Sequence, residues 1–265
     1  MELYEANHNA KQALTTRAFR WAALSDVGRI RTVNEDAHHV EPEIGLFLIS
    51  DGMGGHRGGH MASRIVTEDL PVMIENKLHA LRSSSPRAVL RVIRSTLAEQ
   101  NKQLWMEAVV GEYGYREMGA TVVLLLIRAG RAYAANLGDS RIYRLRNGRL
   151  RQLTRDHSVI FELIAAGKIK PHEADGHEAQ GQITKYVGMD AADTSPHVKT
   201  FALAKGDRFL LCTDGLTDML DEGELRRILV TAEDPEKACR ALTDAANAAG
   251  GLDNITAIVV DCTHA

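Results

Sequence analysis

Three things are scarce in this 265-residue chain, and each scarcity closes off a function. Its three cysteines, Cys212, Cys239 and Cys262, are odd in number and widely scattered. They offer neither a disulfide framework nor a thiolate metal site and read as buried apolar fillers. The longest purely apolar run, Val122 to Ile127, falls far short of the roughly 18 residues that span a bilayer, so no membrane partner is expected. Excess positive charge is missing too: 32 Lys and Arg against 35 Asp and Glu leave a net charge of −3. Nucleic acid is therefore not expected as a partner, because phosphate backbones call for clustered cations. The N-terminal MELYEANHNAKQ lacks a basic stretch followed by an apolar core, so no secretory signal is read there and the cytoplasm is the expected compartment.

What is present suits a folded chain. With 45% hydrophobic and 25% charged residues and no Pro-, Gly- or Ser-rich linker, a single domain is expected from residue 21 to 265, behind a flexible leader at 1–20. Strand-length apolar runs bounded by Gly, Asp or Asn occur at 45–50, 121–127, 131–136, 141–145, 149–153, 208–213 and 255–260. Asn147-Gly148, between two of them, predicts a hairpin whose turn needs positive φ at both positions. The stretch from Arg141 to Arg155 carries six arginines, four of them on this hairpin, and reads as its solvated outer face. Three- and four-residue apolar spacing predicts a helix from Pro86 to about Ala108. A second should run from Asp234-Pro235 to Gly250-Gly251, and a third from near Gly59 towards His79. Because strands come in hairpin-like sets rather than in strict alternation with helices, the fold class is α+β, with antiparallel sheets covered by helices.

Several of these strands end in an acid beside a small residue: Ser50-Asp51-Gly52, Gly138-Asp139-Ser140 and Thr213-Asp214-Gly215. Asp253-Asn254 precedes the last strand, and Asn34-Glu35-Asp36 lies near the first. One such acid is an ordinary turn residue; five sets in one chain point to a cluster. Converging carboxylates raise one another's pKa unless a cation neutralises them, and an all-oxygen set selects Mg²⁺ or Mn²⁺ over Zn²⁺. HEADGH at 172–177 misses the H-E-x-x-H zinc spacing by one residue and reads as loop. The glycine run DGMGGHRGGH does not match G-x-G-x-x-G, and no G-K-[ST] occurs.

In this order, the segments SDVGRIRTVNEDA (25–37), LFLISDGMGGHRGG (46–59), MGATVV (118–123), NLGDSRIYRLRNGRLRQLTRDHS (136–158), ITKYVG (183–188), GDRFLLCTDGLTDML (206–220) and DNITAIVV (253–260) resemble the PPM, or PP2C, family of metal-dependent Ser/Thr protein phosphatases, in its compact bacterial form. The resemblance implies an α-β-β-α sandwich, two central antiparallel sheets flanked by helices, with two core Mn²⁺ or Mg²⁺ ions at one end. By position, Asp51 would bridge the ions, the Gly52 carbonyl would bind one, and Asp214 and Asp253 would complete the direct ligands. Glu35 and Asp36 would hold metal-bound waters, and Asp139 with Asp214 would hold a third, looser ion. The implied reaction is hydrolysis of phosphoserine and phosphothreonine by in-line attack of a metal-bridging hydroxide, without a phosphoenzyme. Two metals suit a reaction that enzymes accelerate by up to ~10²¹, far more than one acid or base supplies.

Arg31 falls where the family places its phosphate-binding arginine, whose fork grips two phosphoryl oxygens; Arg29 is an equal candidate on the residues alone. Met53 stands where some eukaryotic members have a histidine general acid; bacterial members often have a histidine later in the glycine run, here His56, a candidate to protonate the leaving oxygen or to position a water. Lys185 replaces an arginine common in the family. Residues 157–182 correspond to the family's variable flap, helical at first with Ile160, Leu163 and Ile164 on one face, and Asp175 or Glu178 stands near the third-metal position without a fixed register. The implied partners are phosphorylated proteins, with a bacterial Ser/Thr kinase as the opposing enzyme, and a monomer is expected. The alternatives are a broad small-molecule phosphomonoesterase and a catalytically silent phosphoprotein-binding module; the second would be marked by loss of a metal acid, and Asp51, Asp139, Asp214 and Asp253 are all present. A thiol-dependent phosphatase is excluded, because C-x₅-R would need arginine at 218 or 245, where Asp218 and Ala245 stand.

Overall fold

The computed structural model describes residues 19–55, 57–111, 118–174, 176–190 and 194–263, together with the backbone of 12–15. Two antiparallel sheets lie face to face. In the first, the order is β1 (Gln12–Thr15), β2 (Phe19–Asp26), β12 (Ile255–Cys262), β11 (Arg208–Cys212), β8 (Arg141–Arg146) and β9 (Arg149–Gln152). In the second it is β10 (His197–Ala202), β7 (Arg131–Leu137), β6 (Val122–Arg128), β4 (Leu46–Met53) and β3 (Asp36–Glu41), with the two-residue β5 (Gly119–Ala120) pairing the end of β4. Helices α1 (Arg57–His79) and α2 (Pro86–Val110) cover the second sheet. Helices α4 (Asp214–Thr217), α5 (Glu222–Thr231) and α6 (Pro235–Ala248) cover the first, while α3 (Val159–Ala165) stands apart from these layers.

The side-chain period of two explains this layering. On β4, Leu46 and Leu48 turn outwards to Val66, Leu70 and Ile93 of the helices. Phe47 and Ile49 turn inwards to meet Phe209 and Ile258 of the other sheet. Since both faces are covered, the central strands read as continuous apolar runs, which is why β4, β6 and β12 were visible in the sequence. The hairpin at Asn147-Gly148 forms as expected, with φ of 51° and 70° at the two turn positions. Pro86 opens α2 behind a Ser85 cap, and Asp234 caps α6 through the Lys237 amide.

Two expectations need correction. Part of the supposed leader is a strand: β1 pairs with β2 from Gln12↔Ala23 to Thr15↔Arg20, and β2 already begins at Phe19. An edge strand takes its hydrogen bonds from its neighbour, and nothing in residues 1–20 themselves records that neighbour. The arginines of the β8–β9 hairpin are not simply solvated, either. Arg146 pairs bidentately with the buried Asp207 at 2.5 Å, and the Arg144 guanidinium lies 5.1 Å above the Phe201 ring. The three cysteines are buried and free. No helix among the described residues is long and apolar enough to cross a membrane.

Candidate metal centre

Antiparallel pairing brings the acids together. β4, β7 and β11 end at the same rim where β3 and β12 begin. Asp51, Asp139 and Asp214 therefore share that rim with Asp36 and Asp253. Register opposes Asp36 directly to Asp51 across β3 and β4, an arrangement of like charges that weakens a sheet unless something neutralises it.

Asp36 is also a polar tie between the sheets. Its Oδ2 accepts from the hydroxyls of Thr213 at 2.9 Å and Thr256 at 2.7 Å, both on the opposite sheet. Burial, outweighing those two hydrogen bonds, pushes its pKa up to about 7, with Asp214 and Asp253 adding to the rise. Asp51 is driven well above the usual carboxylate range, first by burial and then by Asp36, Asp214 and Asp139. Asp139 is raised by burial and then by Asp214 and Asp156, and Asp214 by burial and then Asp253. Four buried oxygens of this group, Glu35 Oε1, Asp36 Oδ1, Asp139 Oδ1 and Asp214 Oδ1, have no hydrogen-bond partner. A buried acceptor normally finds a donor, so four orphaned carboxylate oxygens at one rim are the signature of a cation's place.

The chemistry of the donors fits Mg²⁺ or Mn²⁺. Among the described residues, no three acidic, His or Cys side chains converge into a closed cage. A hard ion that keeps several waters and takes one or two carboxylates does not need one. The backbone at Gly52 is held close against its neighbours. The Gly52 amide bonds to the Glu35 carbonyl at 3.2 Å, and a Cβ at Gly52 would lie 2.0 Å from the Gly59 carbonyl oxygen. The glycines of the run thus let the first turn of α1 press against β4, which no phosphate loop requires. Gly28, at φ +80°, does the same for the Asp253 loop: a Cβ there would meet the Asp253 carbonyl at 2.3 Å.

Arg31 reaches the site, and its Nη2 contacts Asp253 Oδ2 at 2.7 Å with half its side chain exposed. Arg29 instead packs at Gly251 through its backbone and stem, so geometry separates two candidates that the sequence left equal. His56 and Asp175 lie outside the described residues. Glu178 is exposed on the flap.

The expected list omitted the residues that hold these acids in place. Asn254 is buried: its Oδ1 accepts from the Glu35 amide at 2.8 Å, and its Nδ2 donates to the carbonyls of Val27 and Val33 at 3.0 Å. Thr121 Oγ1 accepts from the Asp51 amide at 3.0 Å and meets Ser140 Oγ at 2.7 Å. Ser63 on α1 donates to the Glu35 carbonyl at 2.5 Å. Asn254 and Thr121 stand in segments already quoted and Ser63 in the helix expected from Gly59, but nothing in the sequence shows which backbone group each serves. Asp218, four residues after Asp214, was also missed; burial, then Asp214, push its pKa up to about 6. It lines a groove of about 730 Å³ with Asp139 and Asp214, facing Ile160, Phe161 and Ile164 of α3. α3 is capped by Ser158 and tied down where Val159 N donates to the Gln182 carbonyl at 2.9 Å.

With this geometry in view, known proteins can be compared. Residues 29–248 match the protein phosphatase 2C family. Protein phosphatase PhpP of Streptococcus pneumoniae is 35% identical over 241 residues, which cover 89% of this chain and 95% of that protein. The structure of PppA from Pseudomonas aeruginosa is 35% identical, with a TM-score of 0.79 over 95% of this chain and all of that one. The catalytic domain of the serine/threonine protein phosphatase PstP, solved in complex with two manganese ions, is 28% identical, with a TM-score of 0.72 over 93% of this chain and 99% of that one. The family match over residues 29–248, a relative 35% identical over most of both chains, and the shared fold of the two solved structures lead to one conclusion: the chain belongs to the protein phosphatase 2C family.

Proposed function

We propose that this serine/threonine protein phosphatase hydrolyses phosphoserine and phosphothreonine with two core Mn²⁺ or Mg²⁺ ions held by Asp51, the Gly52 carbonyl, Asp214 and Asp253. Glu35 and Asp36 orient water around them, and Asp139 with Asp214 takes a third ion. The observation that carries this reading is the set of four unpartnered, buried carboxylate oxygens at one rim. Bound there, the ions supply a lowered pKa for attacking water and neutralise charge on the phosphoryl oxygens.

The chain's own residues do the rest. Arg31, exposed and beside Asp253, grips the incoming phosphoryl group with two parallel N–H donors. The Asn254, Thr121 and Ser63 contacts fix the backbone of the acids before substrate arrives, so little reorganisation accompanies the reaction. His56 serves as proton donor to the leaving serine or threonine oxygen. The segment 157–182 acts as a flap over the groove beside the acids. The chain works as a monomer in the cytoplasm, opposite a bacterial Ser/Thr kinase, a setting supported by its likeness to bacterial Ser/Thr phosphatases.

The test is hydrolysis of p-nitrophenyl phosphate and a phosphothreonine peptide with EDTA, Mg²⁺ or Mn²⁺, comparing wild type, Asp214→Asn and His56→Gln. Metal-dependent turnover of the peptide that vanishes in Asp214→Asn is the expected result. Turnover that survives EDTA, or an Asp214→Asn variant as active as wild type, overturns the metal assignment. An unchanged rate in His56→Gln removes the proton-donor role alone.

A further inference from the structure

The arginine-rich hairpin is not used by the chemistry above, and its placement is unusual. β8 and β9 pair Arg144 with Arg151 and Arg146 with Arg149, so two like-charge pairs stand directly across from one another on one face. Such pairs destabilise a hairpin. Leu150, on the opposite face, packs towards the helices of the first sheet, which turns the arginines towards the second sheet. There the hairpin lies over the edge strand β10: Arg144 covers Phe201, and Arg146 Nη2 donates to the Ala202 carbonyl at 3.0 Å.

β10 adds one cation: Lys199 and the uncharged His197 flank the core residue Val198 and so share the face that meets the first sheet. Arg155, just past β9, stacks over Phe161 of α3 at 4.8 Å, and its backbone is held by Asn136, the register partner of His197. The influence of these cations is visible in the proton affinities of Arg144 and of the neutral His197. His197 is lowered by burial, then by Lys199, Arg155 and Arg94; Arg144 is lowered by burial, then by Arg146, with Arg151 adding.

Little compensates this charge. Of these cations, among the described residues only Arg146 has an acid, Asp207. Among the described residues, Arg149, Arg151, Arg155 and Lys199 make no ion pair, and the buried Arg144 Nε has no hydrogen-bond partner. A single lysine is enough to keep an edge strand from pairing with another chain; opposed arginines on the neighbouring hairpin are not explained by that need. The chain as a whole carries −3, so this face has the opposite sign to the molecule.

The strip also leads to the reaction site. Asn136, between Arg155 and His197, stands three residues before Asp139 on the same rim. From Arg149 to Gln152 β9 rises about 10 Å at about 3.3 Å per residue, the reach of about three residues of extended peptide, and the chain then turns to Arg155.

We infer that the face formed by the β8–β9 hairpin, Arg155 and the edge of β10 docks an acidic segment of the phosphoprotein substrate, lying to one side of the phosphorylated residue. This deepens the phosphatase reading and rests on it. Its cations offset the repulsion between an acidic substrate and the carboxylate rim, and they select sequence context without touching the phosphate.

The experiment compares kcat/KM for three substrates: a phosphothreonine peptide with a run of Asp and Glu, the same peptide with that run replaced by Ser and Gly, and p-nitrophenyl phosphate. Wild type is set against Arg149→Glu/Arg151→Glu, two exposed positions whose reversal leaves the core intact. The acidic peptide should be preferred by wild type, with a preference that fades as salt rises. The double variant should lose about tenfold on that peptide, equal to about 1.4 kcal/mol, with the other two substrates unchanged. A peptide with a Lys and Arg run should gain on the double variant. Equal kcat/KM for acidic and neutral peptides in both proteins overturns the docking surface while leaving the phosphatase reading intact. No turnover of any peptide by wild type overturns the phosphatase reading itself. Binding of the wild type, but not the double variant, to anionic vesicles or to RNA, with peptide kinetics unchanged, assigns the face to that other polyanion and refutes the proposal.

Discussion

Stripped of divalent metal, the protein should lose stability as pH rises from 5 to 8, because its acid rim is built to be neutralised. Asp36 carries the clearest case. Its pKa is about 7 in the folded chain against an ordinary 3.8. A carboxyl raised by folding favours the protonated folded state, so its contribution is full below about pH 4 and is lost as pH climbs through about 7. The gap corresponds to about 4 kcal/mol at about 1.4 kcal/mol per pH unit, more than half of it falling between pH 5 and 8. The control is Asp36→Asn, whose amide oxygen still accepts from Thr213 and Thr256 but does not ionise. In EDTA, thermal melts from pH 5 to 8 should show wild type losing about 5–10 °C of Tm more than Asp36→Asn. Saturating Mn²⁺ should remove that difference, since a cation beside Asp36, with its bound water held by that carboxylate, favours the ionised form. Parallel curves for the two proteins without metal, or a difference that Mn²⁺ leaves untouched, would refute the reasoning.

Other expectations follow from contacts at the rim. Arg31→Lys should lower kcat/KM for p-nitrophenyl phosphate by about ten- to a hundredfold through lost fork geometry, while Mn²⁺ affinity by calorimetry stays within twofold of wild type, on the order of an exposed contact. Asn254→Ala removes the partner of the Glu35 amide and of two carbonyls, and should cost about 2–4 kcal/mol in urea unfolding and weaken metal binding. Gly52→Ala forces its new methyl against the Gly59 carbonyl; a loss of at least about 1–3 kcal/mol, with β4 and α1 pushed apart, should appear as a lower Tm together with lost Mn²⁺ binding. An Ala variant as stable and as metal-competent as wild type would show that the close approach is not required.

Much of this was legible before any fold was known, and the reason is local. Strands buried on both faces write themselves as apolar runs, as in β4, β6 and β12, and Asn147-Gly148 names its own turn through positive φ. Asp51, Asp139 and Asp214 announced themselves because each ends such a strand beside a small residue. Where the signal depended on a neighbour, it was silent: β1, β3 and β10 are edge strands with mixed composition, and β1 was read as a flexible leader. The same holds for Asn254, Thr121 and Ser63, whose amide and hydroxyl groups are ordinary until a distant backbone needs them. The hairpin arginines reverse the lesson. Their number was plain, but only register could oppose them in pairs, and only the stacking of two sheets could turn them over β10.

The amino-acid order alone therefore pointed to the α+β layers and the gathered acids, which follow from periodicity and from acids at strand ends, and, through its ordered motifs, to a resemblance to the family. Tertiary structure alone decided which carboxylate oxygens lack partners, that Arg31 rather than Arg29 reaches Asp253, and where unpaired positive charge gathers. Those depend on distances between segments up to 222 residues apart in the chain, and no local pattern encodes them.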